Sequence, residues 1–564
     1  MKKLISTLAF SVALLAFLTT HTEAKSHENA ERIEAMIPVQ DLLRHRIEVQ
    51  LFEENGIYVR GSLLYSTVTL PEFYQNRGFR PAWMGNSDLA ENLLGVIDEA
   101  FSHGLNPEIY HSGAIRELLE SRDFQGADRT EPAILADLDL LLTDAFLMLA
   151  SHHLAGQLDP VNFDPQWNIA RDEANFSELL EQGIAANDPA EAIRGLYPAH
   201  PGYQRLVEAL RHYREIHTNG GWPSFESTGV MRPGEEYQRT PALRERLQKA
   251  GDFTGDLSDN LLYDNELAEA VRTFQRRHGL DADGVIGPRT MAELNVTAQE
   301  RLIQVFVNLE RWRWLPQHLG DRHIRVNIAN FMTEVVENDK VVASHRSIVG
   351  RQYRQTPVFS GRMTYLVLSP FWHIPPGIAT RDVLPRVREN VDYLRQQNMQ
   401  VLDGWGSDAR VLDPATVDWS KITASNLRYR FRQNPGPNNA LGDVKFMFPN
   451  RWNVYLHDTP GRELFQRTER DFSSGCIRVD RPLELARYLL QGQDNWNERT
   501  IAEAVNRRTE RTVVLRNPIM VHLLYWTAWA DDDGLVQFRR DIYQRDERLR
   551  AAIRETLFTP LATL

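Results

Sequence analysis

The chain contains a single cysteine, Cys476, and a histidine, His457, nineteen residues before it. A free thiol has a pKa of about 8.5, so it needs a base to react near neutral pH. An imidazole, with an ordinary pKa of about 6.5, can accept the thiol proton and later return it to a leaving amine. The pair is therefore suited to acyl transfer through a thioester. An internal disulfide is excluded because there is no second cysteine.

The residues around His457 predict how its side chain is placed. Side chains alternate in this segment, and the apolar residues Val454 and Leu456 fall on one face of a predicted strand. If that face packs on the core, Tyr455 and His457 share the other face and point into a cleft. No acid is obviously placed to orient the imidazole. The backbone carbonyl of Asp458 or of a nearby residue is one alternative, and the Asp458 side chain is another.

The residues around Cys476 fit the same chemistry. Gly475 allows a sharp turn before the nucleophile, so that the Cys476 amide can point at a developing oxyanion. Arg478 follows at a position from which it can face a substrate carboxylate. Ser473 and Ser474 are open to interpretation as plain turn residues. A serine triad is not supported, because the chain has no Gly-x-Ser-x-Gly elbow.

The elements that must position this pair are mainly β-strands. From about residue 322 apolar and polar residues alternate along the chain, which predicts a β-hairpin. Further strands are predicted after it, and the segment that contains His457 is one of them. The β pattern is interrupted over about 375–440, where we expect an insertion with helical pieces and many polar residues. One more strand is predicted over Val521–Trp529, after the core. A terminal helix is predicted from Asp541 to Thr556.

The regions before the β-rich part are predicted to be helical. Residues 30–218 contain a long apolar segment, 135–150, without Gly or Pro, which predicts a buried helix in a scaffold. A loop rich in Gly and Pro follows and predicts a linker. Residues 237–296 then predict a small helical unit of their own.

Composition limits the class of protein. The 564 residues are 42% hydrophobic and 25% charged, with a net charge of −12, which indicates a multidomain globular protein that does not bind nucleic acid. One cysteine and scattered histidines give no support for a zinc site. Residues 1–24, with a basic start and a short apolar run, predict an export signal, with an uncleaved membrane anchor as the alternative.

His457 followed by Ser473-Ser-Gly-Cys-Ile-Arg478 resembles the signature of the L,D-transpeptidases. Ser474 stands where the usual family motif has a histidine or similar residue, a departure that resembles the large Gram-negative periplasmic branch. Three other segments resemble that branch: the stretch before the histidine strand (437–450), the entry to its mobile lid (371–376) and its peptidoglycan-binding module (283–290).

The resemblance implies a multidomain α+β fold. It comprises a signal peptide (1–24), a helical N-terminal scaffold (30–218), a small three-helix peptidoglycan-binding domain (237–296), and a mainly-β catalytic domain (322–518) with a helical lid insertion (about 375–440). A C-terminal extension, 519–564, would follow. The implied location is the periplasm, and the membrane is involved only through the signal or anchor.

The implied activity is cross-linking of diaminopimelate residues of peptidoglycan tetrapeptide stems, in wall synthesis that maintains cell shape. Peptidoglycan stem peptides would be donor and acceptor, and other wall-synthesis proteins are conceivable partners. No cofactor or metal is implied, and a carbapenem is expected to acylate the nucleophile. The resemblance assigns the site residues as Cys476 (nucleophile), His457 (general base and acid), Gly475 (oxyanion turn), and Tyr455, Arg478, Ser474 and Trp372 (substrate binding).

Three other functions stay open at this level. A cysteine L,D-carboxypeptidase would pass the same thioester to water, and attachment or release of a wall-bound lipoprotein is related chemistry. A non-catalytic peptidoglycan-binding scaffold would not need Cys476 at all.

Overall fold

The computed structural model describes residues 36–50, 56–84, 87–121, 130–225, 229–404 and 408–558. The predicted export signal at 1–24 therefore lies outside the described residues. Within these ranges, no helix combines the length and apolar character needed to cross a bilayer.

The N-terminal region is helical, as predicted. Residues 36–45 are helical and lead into the π-helical turn Arg46–Gln50, and a short hairpin precedes the remaining helices. The long apolar segment is indeed one buried helix, α4, because nearly every position along it packs on a neighbour. The elements are β1 (Tyr58–Val59), β2 (Ser62–Leu63), α1 (Thr69–Asn76), α2 (Ser87–Glu99), α3 (Ser112–Glu120), α4 (Pro132–Ala155), α5 (Pro160–Phe163), β3 (Trp167–Asn168), α6 (Phe176–Ala185), α7 (Pro189–Arg194) and α8 (Pro201–Thr218).

Residues 237–294 form a small unit with its own apolar core, built around Leu243, Val271 and Phe274. Within this fully described range the helices are α9 (Thr240–Lys249), α10 (Asn265–Arg277) and α11 (Pro288–Leu294), which confirms the prediction of three helices. The unit contacts the β-rich part through an ion pair of 2.7 Å between Arg289 and Glu469.

The C-terminal half begins with helix α12 and continues into a β-rich domain. Its elements are α12 (Ala298–Arg313), β4 (Arg322–Asn327), β5 (Met332–Glu337), β6 (Lys340–Ile348), β7 (Val358–Leu368), β8 (Trp372–His373), α13 (Pro376–Ile378), α14 (Leu384–Glu389), α15 (Asp392–Gln396), β9 (Met399–Asp403), β10 (Arg410–Leu412), β11 (Arg430–Gln433), β12 (Val444–Met447), β13 (Leu456–His457), β14 (Ile477–Val479), α16 (Pro482–Leu489), α17 (Glu498–Asn506), β15 (Arg511–Leu524), β16 (Ala528–Ala530), β17 (Val536–Phe538) and α18 (Asp546–Phe558).

The strands of this half close into a barrel. In the described part of the chain the order is β12-β13-β14-β6-β5-β4-β15-β7, and β7 pairs back with β12. Closure leaves no long unpaired edge within the ring. Apolar residues such as Val335, Leu366 and Leu456 fill the interior, so the core side of each strand is fixed.

The helical scaffold region is joined to this barrel. Its strand β3 pairs in parallel with β7, with Trp167 opposite Val358 and Asn168 opposite Phe359. Trp167 is buried and packs edge-on against Trp314, with ring centroids 5.1 Å apart. The segment that carries β3 is therefore part of the sheet of the C-terminal half.

The prediction of a boundary at 518, followed by a separate strand over Val521–Trp529, is wrong. One strand, β15, runs through this point from Arg511 to Leu524. Its pairing with β7 is irregular between Val514 and Ile519, where Pro518 has no N–H to give to the ladder. The residues after 518 therefore complete the barrel.

The insertion contains more β-structure than predicted. Its strands β9, β10 and β11 form a sheet with β8 in the order β10-β9-β11-β8. Val383, Val401 and Phe431 belong to a separate small core that includes Trp419. A sequence pattern dominated by polar residues obscured these short strands.

Candidate functional site

Strand register places the predicted chemical groups on one face of the barrel. His457 on β13 lies opposite Arg478 on β14, and Leu456 lies opposite Ile477. Because side chains alternate, Leu456 and Ile477 enter the core while His457 and Arg478 share the outer face. Tyr455 and Cys476 each lie two residues before one of these side chains and therefore on the same face. All four residues line one cavity. The strand itself is short, Leu456–His457, and the predicted packing of Val454 and Leu456 on the core is confirmed.

His457 is held by a backbone carbonyl. Its Nδ1 lies 2.5 Å from the Asp458 oxygen, which fixes the ring with Nδ1 as donor and Nε2 as acceptor. The Asp458 carboxylate instead accepts from the Asp443 N–H at 2.9 Å. Burial, reinforced by the Arg478 guanidinium and the Lys445 ammonium, lowers the pKa of His457 to about 3. The imidazole is therefore neutral near pH 7.

Cys476 is partly exposed and carries a protonated thiol in this environment. Burial raises the pKa of the Cys476 thiol, and contacts with Tyr455 and the charges of Lys445 and Arg478 oppose this only in part. Burial and the neighbouring thiol also raise the pKa of Tyr455. The site therefore rests as a neutral thiol and a neutral imidazole, not as an ion pair.

The turn before Cys476 depends on two neighbouring residues. Gly475 has φ +115°, a conformation that residues with a Cβ rarely adopt. Ser473 Oγ accepts from the Gly475 N–H at 3.0 Å and donates to the Cys476 carbonyl at 2.6 Å. The Gly475 amide is thus already engaged, so the Cys476 amide, which the sequence predicts as an oxyanion donor, is the candidate for that role. Ser473 is more than a plain turn residue.

The cavity around Cys476 has a volume of about 720 Å³, and several segments line it besides β13 and β14. The insertion contributes Ile378 and Asp382, and β8 contributes Trp372. The scaffold segment contributes Gln166, whose carbonyl accepts from Val358 N–H at 3.0 Å. The structure therefore brings every predicted site residue into one cavity, together with a scaffold residue that was not predicted.

Ser474 lies at the exposed rim of the same turn. Its hydroxyl accepts from Arg354 at 2.6 Å, and Arg354 also pairs with Asp382 of the insertion at 3.3 Å. One arginine thus links the Ser473–Cys476 turn to the insertion.

Lys445 is a site residue that sequence reasoning missed. It lies opposite His457 across β12 and β13, so Lys445, His457 and Arg478 form one row over three strands. Its ammonium is 4.0 Å from the centroid of the Tyr455 ring. Only the pairing register reveals this placement, since Lys445 is twelve residues from His457. In the described ranges, no group of histidine, cysteine or carboxylate side chains is suited to hold a metal.

The fold and the cavity thus define a barrel domain with a cysteine and a histidine on one face. Comparison with known families matches residues 321–505 to the L,D-transpeptidase catalytic domain. Residues 237–294 match a peptidoglycan binding domain, and residues 68–210 match a scaffold domain.

A curated relative from Haemophilus influenzae, named as an L,D-transpeptidase, is 33% identical over 264 residues, which are 47% of this chain and 51% of the relative. The match thus spans about half the length of each protein. A solved L,D-transpeptidase structure from Xylanimonas cellulosilytica is 17% identical, with 53% of this chain and 99% of that chain covered. Its TM-score of 0.17 is too low to establish a shared fold.

Proposed function

We propose that this protein is a peptidoglycan L,D-transpeptidase that joins diaminopimelate residues of neighbouring stem peptides through a thioester at Cys476. The observation that carries the proposal is the shared cavity of Cys476 and a neutral His457, with Arg478 on the same face. The peptidoglycan binding domain at 237–294 supports the choice of substrate. Such a substrate places the protein outside the cytoplasm, and we propose the periplasm.

In the first half-reaction, Cys476 Sγ attacks the carbonyl between diaminopimelate and the terminal D-alanine of a tetrapeptide stem. His457 Nε2 accepts the thiol proton as the S–C bond forms, because neither group is charged at rest. The C–N bond then breaks, and the D-alanine amine leaves with that proton. The products of this step are the thioester and free D-alanine.

In the second half-reaction, a diaminopimelate amine of a neighbouring stem attacks the thioester carbonyl. His457 accepts the amine proton, the C–S bond breaks, and the proton returns to the Cys476 sulfur. One amide bond is exchanged for another, so no oxidant, metal or nucleotide is needed. If water took the place of the amine, the same residues would act as a carboxypeptidase.

The remaining predicted residues are proposed to bind the donor stem. Arg478 would balance a carboxylate of the donor, while Tyr455 and Trp372 would pack on it. Ser474 would contact the donor at the rim, and Gly475 would shape the turn. We propose residues 30–218 as a scaffold and 237–296 as the wall-binding unit. The catalytic unit is proposed to span 322–558, because β15 continues through residue 518, and to carry its lid at 375–440.

Incubation of the full chain with purified disaccharide-tetrapeptide, followed by mass spectrometry, tests this function. We expect cross-linked dimers with release of one D-alanine per dimer, and no product from Cys476→Ala. Shortened stems without dimers would identify a carboxypeptidase. If the natural protein and the Cys476→Ala variant both bound the cell wall and neither gave any product, the protein would be a non-catalytic scaffold.

A further inference from the structure

The peptide group between Gly475 and Cys476 is held by a side chain from another part of the barrel. Its carbonyl oxygen, which belongs to Gly475, accepts a hydrogen bond from Thr356 Oγ1 at 2.9 Å. The N–H of the same peptide group belongs to Cys476. In a trans peptide the C=O and the N–H point in opposite directions. The partner of the Gly475 carbonyl therefore sets the direction of the Cys476 N–H.

The orientation of this peptide group depends on such a hydrogen bond more than the orientation of the neighbouring peptide groups does. Glycine adopts both signs of φ readily, so the peptide after Gly475 can rotate at little steric cost. Ser473 Oγ fixes the Gly475 N–H and the Cys476 carbonyl, which lie on either side of this peptide. Thr356 thus supplies the hydrogen bond that selects one orientation of the peptide between them.

Thr356 is itself held in place. It is fully buried, and its hydroxyl accepts from the Gly350 N–H at 3.0 Å, so its single proton is available to the Gly475 carbonyl. The Tyr543 hydroxyl accepts from the Thr356 N–H at 3.3 Å and donates to the Gly350 carbonyl at 2.5 Å. Arg545 donates to the Thr356 carbonyl at 3.0 Å. Tyr543 and Arg545 lie beyond the residues matched by the catalytic family.

We propose that Thr356, supported by Tyr543, is a positioning residue that aims the Cys476 N–H at the oxyanion of the acyl-transfer intermediate. The proposal rests on the proposed function of Cys476. As the S–C bond forms, the carbonyl π electrons move to oxygen, and the Cys476 N–H donates to that charge. When the C=O bond re-forms, the leaving amine departs with the proton from His457. A flipped peptide would present the Gly475 carbonyl to the oxyanion and repel it.

The test compares two reactions of Cys476 in the full-length protein. Acylation by a carbapenem passes through an oxyanion, whereas alkylation by iodoacetamide does not. Thr356→Val keeps the shape but removes the hydroxyl. We expect acylation to slow by about 10- to 100-fold, at or below the lower end of the effect of losing an oxyanion donor itself, because the Cys476 N–H remains present. Alkylation and its pH profile should be unchanged. Thr356→Ser should restore acylation to within a few-fold of the natural protein.

A second variant keeps the test decisive if Thr356→Val folds poorly. Tyr543→Phe removes only the supporting hydroxyl, and we expect a smaller loss of acylation with unchanged alkylation. Tyr488→Phe is the matched control, because the Tyr488 hydroxyl is bound to Glu337, which is not a lining residue of the Cys476 cavity. Equal loss of acylation and alkylation in Thr356→Val and Tyr543→Phe would overturn the inference and indicate a purely structural role. If the natural protein were alkylated but never acylated, the proposed function itself would fail.

Discussion

Lys445 faces His457 directly across the β12–β13 ladder, and its ammonium covers the ring of Tyr455 at 4.0 Å from the centroid. A half-buried cation in this position favours the thiolate of Cys476 and disfavours protonation of His457. The effect on the thiol assists nucleophilic attack, and the effect on the imidazole keeps His457 unprotonated at rest. Burial also lowers the pKa of Lys445, because desolvation disfavours its charged ammonium.

Replacing Lys445 by methionine tests this electrostatic role. The change keeps most of the side-chain volume but removes the charge, so we expect the pKa of the Cys476 thiol to rise. A rise of about one pKa unit would slow alkylation by iodoacetamide about tenfold at neutral pH. Lys421→Met, on an exposed lysine of the insertion, is the control. An unchanged alkylation rate in Lys445→Met would show that the ammonium does not act on the thiol.

The natural protein should show the pH dependence of a neutral thiol. Because burial raises the pKa of Cys476, thiolate accumulates only above the ordinary thiol range. The alkylation rate should therefore climb with pH through 9 without a plateau at neutral pH. A plateau beginning below pH 7 would mean a thiolate–imidazolium pair and would contradict the neutral resting state.

His457→Gln should remove the base without removing the nucleophile. We expect cross-linking to fall by about 10²- to 10⁴-fold, the usual contribution of a general acid–base residue. Alkylation at high pH, where hydroxide removes the thiol proton, should persist. In the natural protein the base is neutral above its pKa of about 3, so His457 should cause no loss of rate between pH 7 and 5. His318→Gln, on an exposed histidine, is the matched control.

Arg354 connects the Ser473–Cys476 turn to the insertion and offers a test of the proposed lid role of that insertion. Arg354→Gln removes the contacts with Ser474 and Asp382, and we expect faster hydrogen exchange over 376–389. The donor KM should rise by up to about fivefold, because half-exposed ion pairs contribute roughly 1 kcal/mol or less. Arg395→Gln breaks an exposed pair within the same insertion and should leave the KM unchanged. If both variants behaved alike, the link through Arg354 would have no role in lid closure.

The sequence predicts those parts of the site that depend only on residues close together in the chain. Tyr455 and His457 could be placed on one face because alternation along a single strand decides it. Cys476 and Gly475 could be joined to them because the chain has one thiol, preceded by a turn residue. The buried helix α4 and the three helices of the small unit were also predictable, since each is a long or repeated apolar pattern.

The missing parts of the site depend on contacts between distant residues. Lys445 reaches His457 through pairing register, and Thr356 reaches Gly475 from more than a hundred residues away. Tyr543 was assigned to an extension because the strand before it could not be traced across Pro518. Composition and periodicity do not record which strands become neighbours in a closed barrel, so these residues could not be found from the sequence.

The scaffold strand should stabilise the catalytic barrel. Trp167 anchors β3 against β7 and Trp314, so Trp167→Ala would leave a cavity at this junction. We expect the free energy of unfolding to fall by about 3–5 kcal/mol, as for other buried aromatic residues, and amide exchange along Val358–Leu368 to accelerate. Trp496→Ala, on a half-exposed tryptophan beside Arg511, should cost much less. If Trp167→Ala destabilised the N-terminal helices but left exchange in β7 unchanged, the two regions would unfold as separate units. If exchange in β7 accelerates as expected, the stability of the barrel depends on the scaffold strand. The scaffold would then support the site directly, because the same segment carries Gln166 into the Cys476 cavity.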